Sequence, residues 1–95
     1  MRKKYLTVDK AVEAEFENEK LYMDQFEPDI TCYSRNGTRC AVVFDGGTVE
    51  KEYILIGLEV CHGGQWKVEH FEHVKNKWDG IDAMCNANAF IHNHD

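Results

Sequence analysis

The stretch ITCYSRNGTRCAVVF, residues 30–44, decides the fold because it contains two strands joined by a tight turn. Residues 30–34 and 39–44 are rich in β-branched and aromatic side chains, which favour extended structure. Asn36 and Gly37 stand between the two runs, and this dipeptide is the strongest short-range signal for a β-hairpin. The sequence therefore predicts an antiparallel pair of strands at this point.

The length of the hairpin turn decides where two of the cysteines lie. A two-residue turn pairs Tyr33 with Cys40 and Cys32 with Ala41, which places the two sulfur atoms on opposite faces of the sheet. A three-residue loop would instead set Cys32 across from Cys40 and make a cross-strand disulfide possible. We favour the two-residue turn.

Two further strands follow along the chain. Residues 52–60 and 66–74 again show strand composition, and Gly-Gly pairs mark the turns at residues 45–47 and 62–64. Connections this short exclude a crossover between parallel neighbours, which needs about a dozen residues. The four runs therefore predict an antiparallel meander.

A long helix is predicted before the sheet. Thr7 can cap its N-terminus, and apolar residues then recur at three- and four-residue steps as far as Phe26. The helix is expected to end at Glu27, because the residue before Pro28 is pushed out of helical geometry. Glu15 and Glu19 interrupt the apolar stripe, so we expect the middle of this helix to stand clear of the core.

A short helix is predicted after the sheet. It begins at Asp79, and its apolar side is predicted to carry Ile81, Met84, Cys85 and Ala89. The fold class is thus α+β: one domain over residues 1–95 with a long N-terminal helix, a four-stranded antiparallel meander sheet and a short C-terminal helix.

Poor alternation along the strands raises the question of what covers each face of the sheet. Residues 40–44 are apolar throughout, and residues 53–60 offer apolar side chains to both faces. Either the two helices cover both faces or one face meets another chain. We expect both helices on one face and a homodimer through the second.

The charge of the chain is concentrated in one segment. The net charge is −6, and between Asp9 and Asp29 eight acids stand against Lys10 and Lys20, a local balance that is also −6. Helical spacing brings Glu13, Glu17 and Asp24 to the open side of the first helix. A surface helix often carries charge opposite its apolar stripe, so a plain solvated face is the competing interpretation. Few lysines are interleaved for pairing, however, and a field of one sign can steer a basic partner.

Composition limits the setting of the protein. With 43% hydrophobic residues in 95, the chain should fold alone, and its start lacks an apolar run of signal-peptide or membrane-spanning length. We expect a cytoplasmic protein without a membrane partner. Its four cysteines have no tight spacing and are expected to be reduced thiols.

Metal and cofactor sites are not expected. The chain contains four cysteines and five histidines, but no Cys-x-x-Cys knuckle, and His70 and His73 fall on opposite faces of a predicted strand. A small metal- or ligand-binding module built from Cys32, Cys40, Cys61, Cys85 and the histidines remains the alternative function.

Enzymatic activity is also not expected, and no catalytic residue is assigned. The best acid–base candidates are His70 or His73 beside Glu69 or Glu72, which would need a concave pocket that converges on them. Direct nucleic-acid binding is disfavoured, because the one basic cluster is residues 2–4 at the chain start.

The leading hypothesis is a small acidic interaction protein that blocks a basic surface of a partner protein. A basic channel that binds nucleic acid would accept a row of carboxylates in place of phosphates. Small immunity proteins, antitoxins and phage-encoded anti-defence inhibitors share this profile of size, acidity and missing catalytic motif, as an analogy of type. Acids would steer the partner and aromatic residues would anchor it; the predicted contact residues are Glu13, Glu15, Glu17, Glu19, Asp24, Tyr22, Tyr33, Tyr53 and Trp78. A structural homodimer subunit is the second alternative.

Overall fold

A computed structural model describes residues 3–47, 52–75 and 80–92 of the chain. Its elements are α1 (Val8–Asn18), a 3-10 turn (Met23–Gln25), β1 (Glu27–Tyr33), β2 (Arg39–Asp45), β3 (Glu52–Val60), β4 (Trp66–Lys75) and α2 (Gly80–His92). The predicted fold class is confirmed, because helices flank an antiparallel meander sheet of order β1-β2-β3-β4. Among the described residues, no helix has the length and apolar character needed to cross a membrane.

Helix α1 begins as predicted but ends earlier. The Lys10 N–H donates to the Thr7 hydroxyl at 3.1 Å, which caps the N-terminus. Lys20 then adopts a left-handed conformation (φ 58°), and its N–H bonds the Glu17 carbonyl while the Leu21 N–H bonds that of Phe16. These two bonds form a Schellman motif, which closes the helix at Asn18. The predicted extension to Glu27 is therefore wrong.

Sequence reasoning missed this helix end because lysine occupies the position where glycine is the usual signal. The chain instead turns through Met23–Gln25 and enters β1 at Glu27, earlier than the predicted start at residue 30. Pro28 is tolerated because β1 is an edge strand, and an irregularity in the β1–β2 pairing follows between Pro28 and Ile30.

The register of the first hairpin is confirmed. Tyr33 pairs with Cys40 and Cys32 with Ala41, so the two sulfur atoms lie on opposite faces. The turn itself is longer than the predicted two residues, because the Gly37 N–H bonds the Ser34 carbonyl and no ladder bond closes between residues 35 and 38. A symmetric loop of two or four residues leaves the same strand residues opposite each other, which explains why the register survives.

Each helix covers a different face of the sheet. Ala11, Val12 and Phe16 of α1 share one core with the inward residues Cys40, Val42, Phe44, Ile54, Ile56, Leu58 and Val68. Helix α2 packs on the other face over Ala41, Val43, Tyr53 and Leu55. The expected pair of helices on one face is therefore wrong, and the alternative with both faces covered is observed. A homodimer through the second face stays a prediction, but α2 already lies on that face.

Helix α2 uses a different side than the one predicted. Ala83, Ala87 and Ile91 are its buried residues, whereas Met84, Cys85 and Ala89 are exposed. Asp79 and the Ile81 side chain are outside the described part of the structure. The small alanines at four-residue spacing let the helix approach the sheet closely, and the larger Met84 points into solvent. The predicted buried side is therefore wrong, because α2 is rotated about its axis so that Ala83, Ala87 and Ile91 face the sheet.

Gly57 of β3 makes room for an aromatic ring of α2. A Cβ atom at this position would lie 2.7 Å from the Phe90 ring, a distance that real Cβ contacts do not reach. The ring centroid of Phe90 also lies 4.4 Å from the Arg39 guanidinium carbon, and the Arg39 side chain donates to the Phe90 carbonyl at 2.8 Å. Phe90 is thus held between the sheet and Arg39, which sets the position of the end of α2.

We expect Gly57→Ala to lower the free energy of unfolding by about 1–3 kcal/mol, because the added methyl group forces Phe90 off the sheet. Urea unfolding of the single variants and of the double variant Gly57→Ala/Phe90→Ala measures this cost. In the Phe90→Ala background the same alanine should cost much less. An equal cost in both backgrounds would show that the ring is not the cause.

Candidate interaction surface

A groove opens between α1 and β1 on the face of the sheet that α1 covers. The helix lies towards β4, at the opposite edge, so it leaves the β1 side of this face open. The groove has a volume of about 260 Å³ and is lined by residues of α1, the 3-10 turn, β1 and β2. We call it the α1/β1 groove.

The floor of the α1/β1 groove is apolar. Val12, Val42 and Phe44 line it and belong to the core below. At its margin Met23 is 36% exposed and Tyr33 is 53% exposed, so both can contact another molecule. A concave apolar surface with exposed large side chains is typical of a binding site rather than of a plain solvated face.

Carboxylates flank the apolar floor on the helix side. Asp9 and Glu13 line the groove, and Glu17 follows at the same four-residue spacing along α1. All three are exposed, and none forms an ion pair with a basic side chain within the described residues. The negative charges of Asp9, Glu13 and Glu17 are therefore not neutralised by ion pairs within the described residues and act on the solvent side of α1.

Further exposed acids follow α1 along the chain. Glu27 and Asp29 are exposed on the edge strand β1, and Asp24 is exposed in the 3-10 turn. Lys10 and Lys20 are exposed on the same segment but form no ion pair with these acids in the described ranges. The carboxylates that line the groove are those of Asp9 and Glu13 on its helix side, and acids of one sign attract a cationic partner.

Most of the predicted contact residues are exposed. They divide between the groove, which contains Glu13 and Tyr33, and the neighbouring surface, which contains Glu17, Glu19, Asp24 and Tyr22. Because α1 ends at Asn18, Asp24 lies in the 3-10 turn beside Met23, and Tyr22 directly precedes that turn. Trp78 lies outside the described residues.

Two predicted contact residues are wrong. Glu15 is 6% exposed and packs among the core residues of α1, so the expectation that the middle of the helix stands clear of the core is also wrong. Glu15 also has an interaction within the protein. Tyr53 is 2% exposed, and its ring belongs to the core under α2. Neither side chain can contact a partner on the surface of the folded protein.

Sequence reasoning missed Asp9 and Met23. Asp9 stands four residues before Glu13, so its place in the acidic row was readable from helical spacing. Met23 was assigned to the buried stripe of a continuous helix, and only the early end of α1 brings it to the groove. The local sequence therefore contained no signal that Met23 would lie in the groove.

The histidines of β4 lie on opposite faces, as predicted. His73 bonds Glu52 at 2.7 Å and makes an edge-to-face contact with the Phe26 ring on the α1 side. His70 bonds Glu72 at 3.2 Å on the α2 side, where a second cavity of about 220 Å³ opens. Of the predicted acid–base pairs, only His70 with Glu72 is thus brought together in a pocket.

The thiols show no arrangement for metal binding. All four cysteines are free, and within the described residues no group of three or more Cys, His, Asp or Glu side chains could hold a metal ion. Burial raises the pKa of the Cys40 thiol to about 11, although the neighbouring Tyr33 hydroxyl opposes the rise. Burial likewise raises the pKa of Cys32. Cys40 is thus a core thiol and not a reactive one.

Comparison of the chain with models of known protein families, with curated proteins and with solved structures found no match. The functional argument therefore depends on the residues and geometry described above.

The buried thiol generates a prediction about alkaline stability. Because the pKa of Cys40 is raised from 9.0 to about 11 on folding, the thiol stabilises the fold below pH 9 and loses this contribution as the pH rises through 11. We expect its ionisation to remove about 2 kcal/mol of unfolding free energy over this interval.

Urea unfolding of the wild type and of Cys40→Ala across this pH range measures the contribution. The difference in stability between the two should shrink by that amount, since the loss of packing in the variant does not depend on pH. Cys85→Ala, which removes an exposed thiol, is the matched control and should run parallel to the wild type. A constant difference for Cys40→Ala would contradict the prediction.

Proposed function

We propose that this protein is a small acidic inhibitor of the immunity or anti-defence type, which binds a basic, nucleic-acid-binding surface of a partner protein and blocks it. The observation that carries the proposal is the α1/β1 groove, in which an apolar floor is flanked by exposed carboxylates without ion-pair partners among the described residues.

The acids supply the first part of the mechanism. A surface that binds a phosphate backbone carries clustered lysine and arginine, and carboxylates at one-turn spacing along α1 can pair with such groups in place of phosphates. Long-range attraction mainly raises the association rate and weakens as salt increases. Glu13 and Glu17, with Asp9, are placed for this role because their side chains are exposed on one line of the helix.

The apolar groups supply the second part. Interfaces obtain most of their binding free energy from a few buried aromatic or large apolar residues, and exposed charges contribute less. Tyr33 and Met23 stand at the groove margin with Phe44 on its floor, so an apolar or long basic side chain of the partner can bury itself there. The aliphatic stems of lysine and arginine suit such a groove, since their charged ends can reach the acidic margin.

The first test separates the position of the charge from its total amount. The triple variant Glu13→Gln/Glu17→Gln/Asp24→Asn raises the net charge from −6 to −3. The matched control Met84→Lys/Cys85→Lys/Asn88→Lys reaches the same −3 by changing exposed residues of α2. We expect the first variant to bind the partner with an association rate about tenfold lower at about 50 mM salt, and the control to stay near wild type.

The partner for this measurement is captured from lysate on the immobilised chain at low salt and eluted at high salt. Surface plasmon resonance then gives the rates, and addition of DNA tests whether nucleic acid and the chain compete for one surface. Equal losses in the two variants would assign the effect to net charge and remove the acidic surface as the docking site. A ternary complex with DNA would contradict the blocking mechanism.

The second test concerns the anchor. Tyr33→Ala should raise the dissociation rate about tenfold or more while it leaves the association rate nearly unchanged, because the ring contributes short-range contact and no charge. Met84→Ala removes an exposed apolar side chain of α2 and is the matched control. Unchanged dissociation in Tyr33→Ala would show that the groove is not the contact surface.

A further inference from the structure

The outer edge of β1 presents backbone groups that the sheet does not use. Tyr33 lies opposite Cys40 in the register of the β1–β2 pair. The next residue, Ser34, donates its N–H to the Arg39 carbonyl at 2.9 Å, so alternate residues of β1, counted back from Ser34, bond β2. Thr31 and Tyr33 fall between these residues, and their N–H and C=O groups therefore point away from β2. Within the described residues no strand pairs with this edge.

The second half of β1 also lacks the features that usually protect a sheet edge. Charged residues, proline and bulges prevent pairing with another chain. In β1 these features lie at the start of the strand, where Pro28 and an irregularity in the pairing precede Ile30. Residues 30–33 read ITCY and carry no charge. At the other edge of the sheet, charged side chains recur along β4, and Tyr5 pairs with Trp66 at its start. Residues 30–33 are therefore the part of the two edges best suited to pair with another strand.

The charges that flank this edge complement a second copy of the same strand. Asp29 precedes the uncharged residues and Arg35 follows them, and both side chains are exposed. Neither forms an ion pair within the described ranges. When two copies of one strand pair in an antiparallel manner, the start of each lies beside the end of the other, so Asp29 meets Arg35 of the second copy. A purely basic strand would also set its charge against Arg35, which makes a second copy the better occupant.

We propose that two copies of this chain form a dimer through the outer edges of their β1 strands, with a twofold axis at Cys32. In this register Thr31 of each copy lies opposite Tyr33 of the other, and these residues exchange the backbone hydrogen bonds that point away from β2. The next register in one direction would set Tyr33 against Asp29, in the irregular part of the strand. The next in the other direction would set Thr31 against Arg35, in the turn.

This pairing joins the two α1/β1 grooves. Thr31 and Tyr33 both line the groove, and side chains directly opposite each other on paired strands point to the same face of a sheet. The grooves of the two copies therefore lie side by side, with Asp9 and Glu13 of each α1 on the side away from the pairing edge. The second copy thus contributes residues to one larger surface.

Analytical ultracentrifugation of the full 95-residue chain measures the association without any other protein. The paired edge is short and each copy has a net charge of −6, so we expect a weak dimer with a dissociation constant on the order of 100 µM. Between about 10 µM and about 1 mM the mean mass should rise from near 11.0 kDa towards twice that value. In NMR spectra over the same range, the Thr31 and Tyr33 amide signals should shift and those of β4 should not.

Exchange of the flanking charges tests the register. Asp29→Arg and Arg35→Asp each bring like charges together in the dimer, so each should weaken association about tenfold. The double variant Asp29→Arg/Arg35→Asp restores the opposite charges and keeps the net charge at −6, so it should form a dimer about as well as the wild type.

A substitution at the edge itself tests the backbone bonds. Thr31→Pro removes an N–H that points away from β2 and should abolish the dimer, whereas the matched control Thr31→Val keeps this N–H and should not. The charge variants keep the test decisive if Thr31→Pro does not fold.

A chain that stays monomeric at about 1 mM would overturn the dimer. So would a double charge variant that associates no better than the single variants, or a Thr31→Pro variant that associates as well as Thr31→Val. None of these results affects the proposed function, because binding of the partner is measured separately.

Discussion

The structure depends on the two central strands being apolar on both faces. Along β2 and β3 the side chains that point to one face, such as Val42 and Ile56, are as apolar as those that point to the other, such as Val43 and Leu55. Neither face can stay in water without a large loss of hydrophobic free energy. One helix on each face satisfies this constraint, and α1 and α2 fill these two places.

The placement of the functional surfaces follows from how each helix meets this constraint. One short helix cannot cover a four-stranded face, so α1 covers the β4 side and leaves the groove beside β1. On the other face the small side chains of Ala83 and Ala87 let α2 approach the central strands. The Asn86 side chain of α2 donates a hydrogen bond to the Glu72 carboxylate of β4. The α1/β1 groove is therefore the uncovered margin of a helix that is too narrow for its face.

In the folded protein, acids of α1 lie directly beside an apolar groove, an arrangement that the order of residues in the sequence does not show. Glu15 is buried in the core, and the acids that line the apolar groove are Asp9 and Glu13 on its helix side. Because α1 ends before Met23, the Met23 side chain joins Tyr33, Asp9 and Glu13 around one concave surface. Attraction and anchoring can then act on the same partner surface.

The sequence by itself determined the strands, the register of the first hairpin, the capped start of α1 and the acidic segment. These features depend on neighbouring residues: the two-residue period, Asn36-Gly37, Thr7 and the clustered carboxylates. Only the tertiary structure decided where α1 ends, which side of α2 is buried and which face each helix covers. Those outcomes depend on packing between residues that are distant in sequence, such as Phe90 against Gly57. The same holds for which acids remain exposed, because burial depends on the whole fold and not on the local sequence pattern.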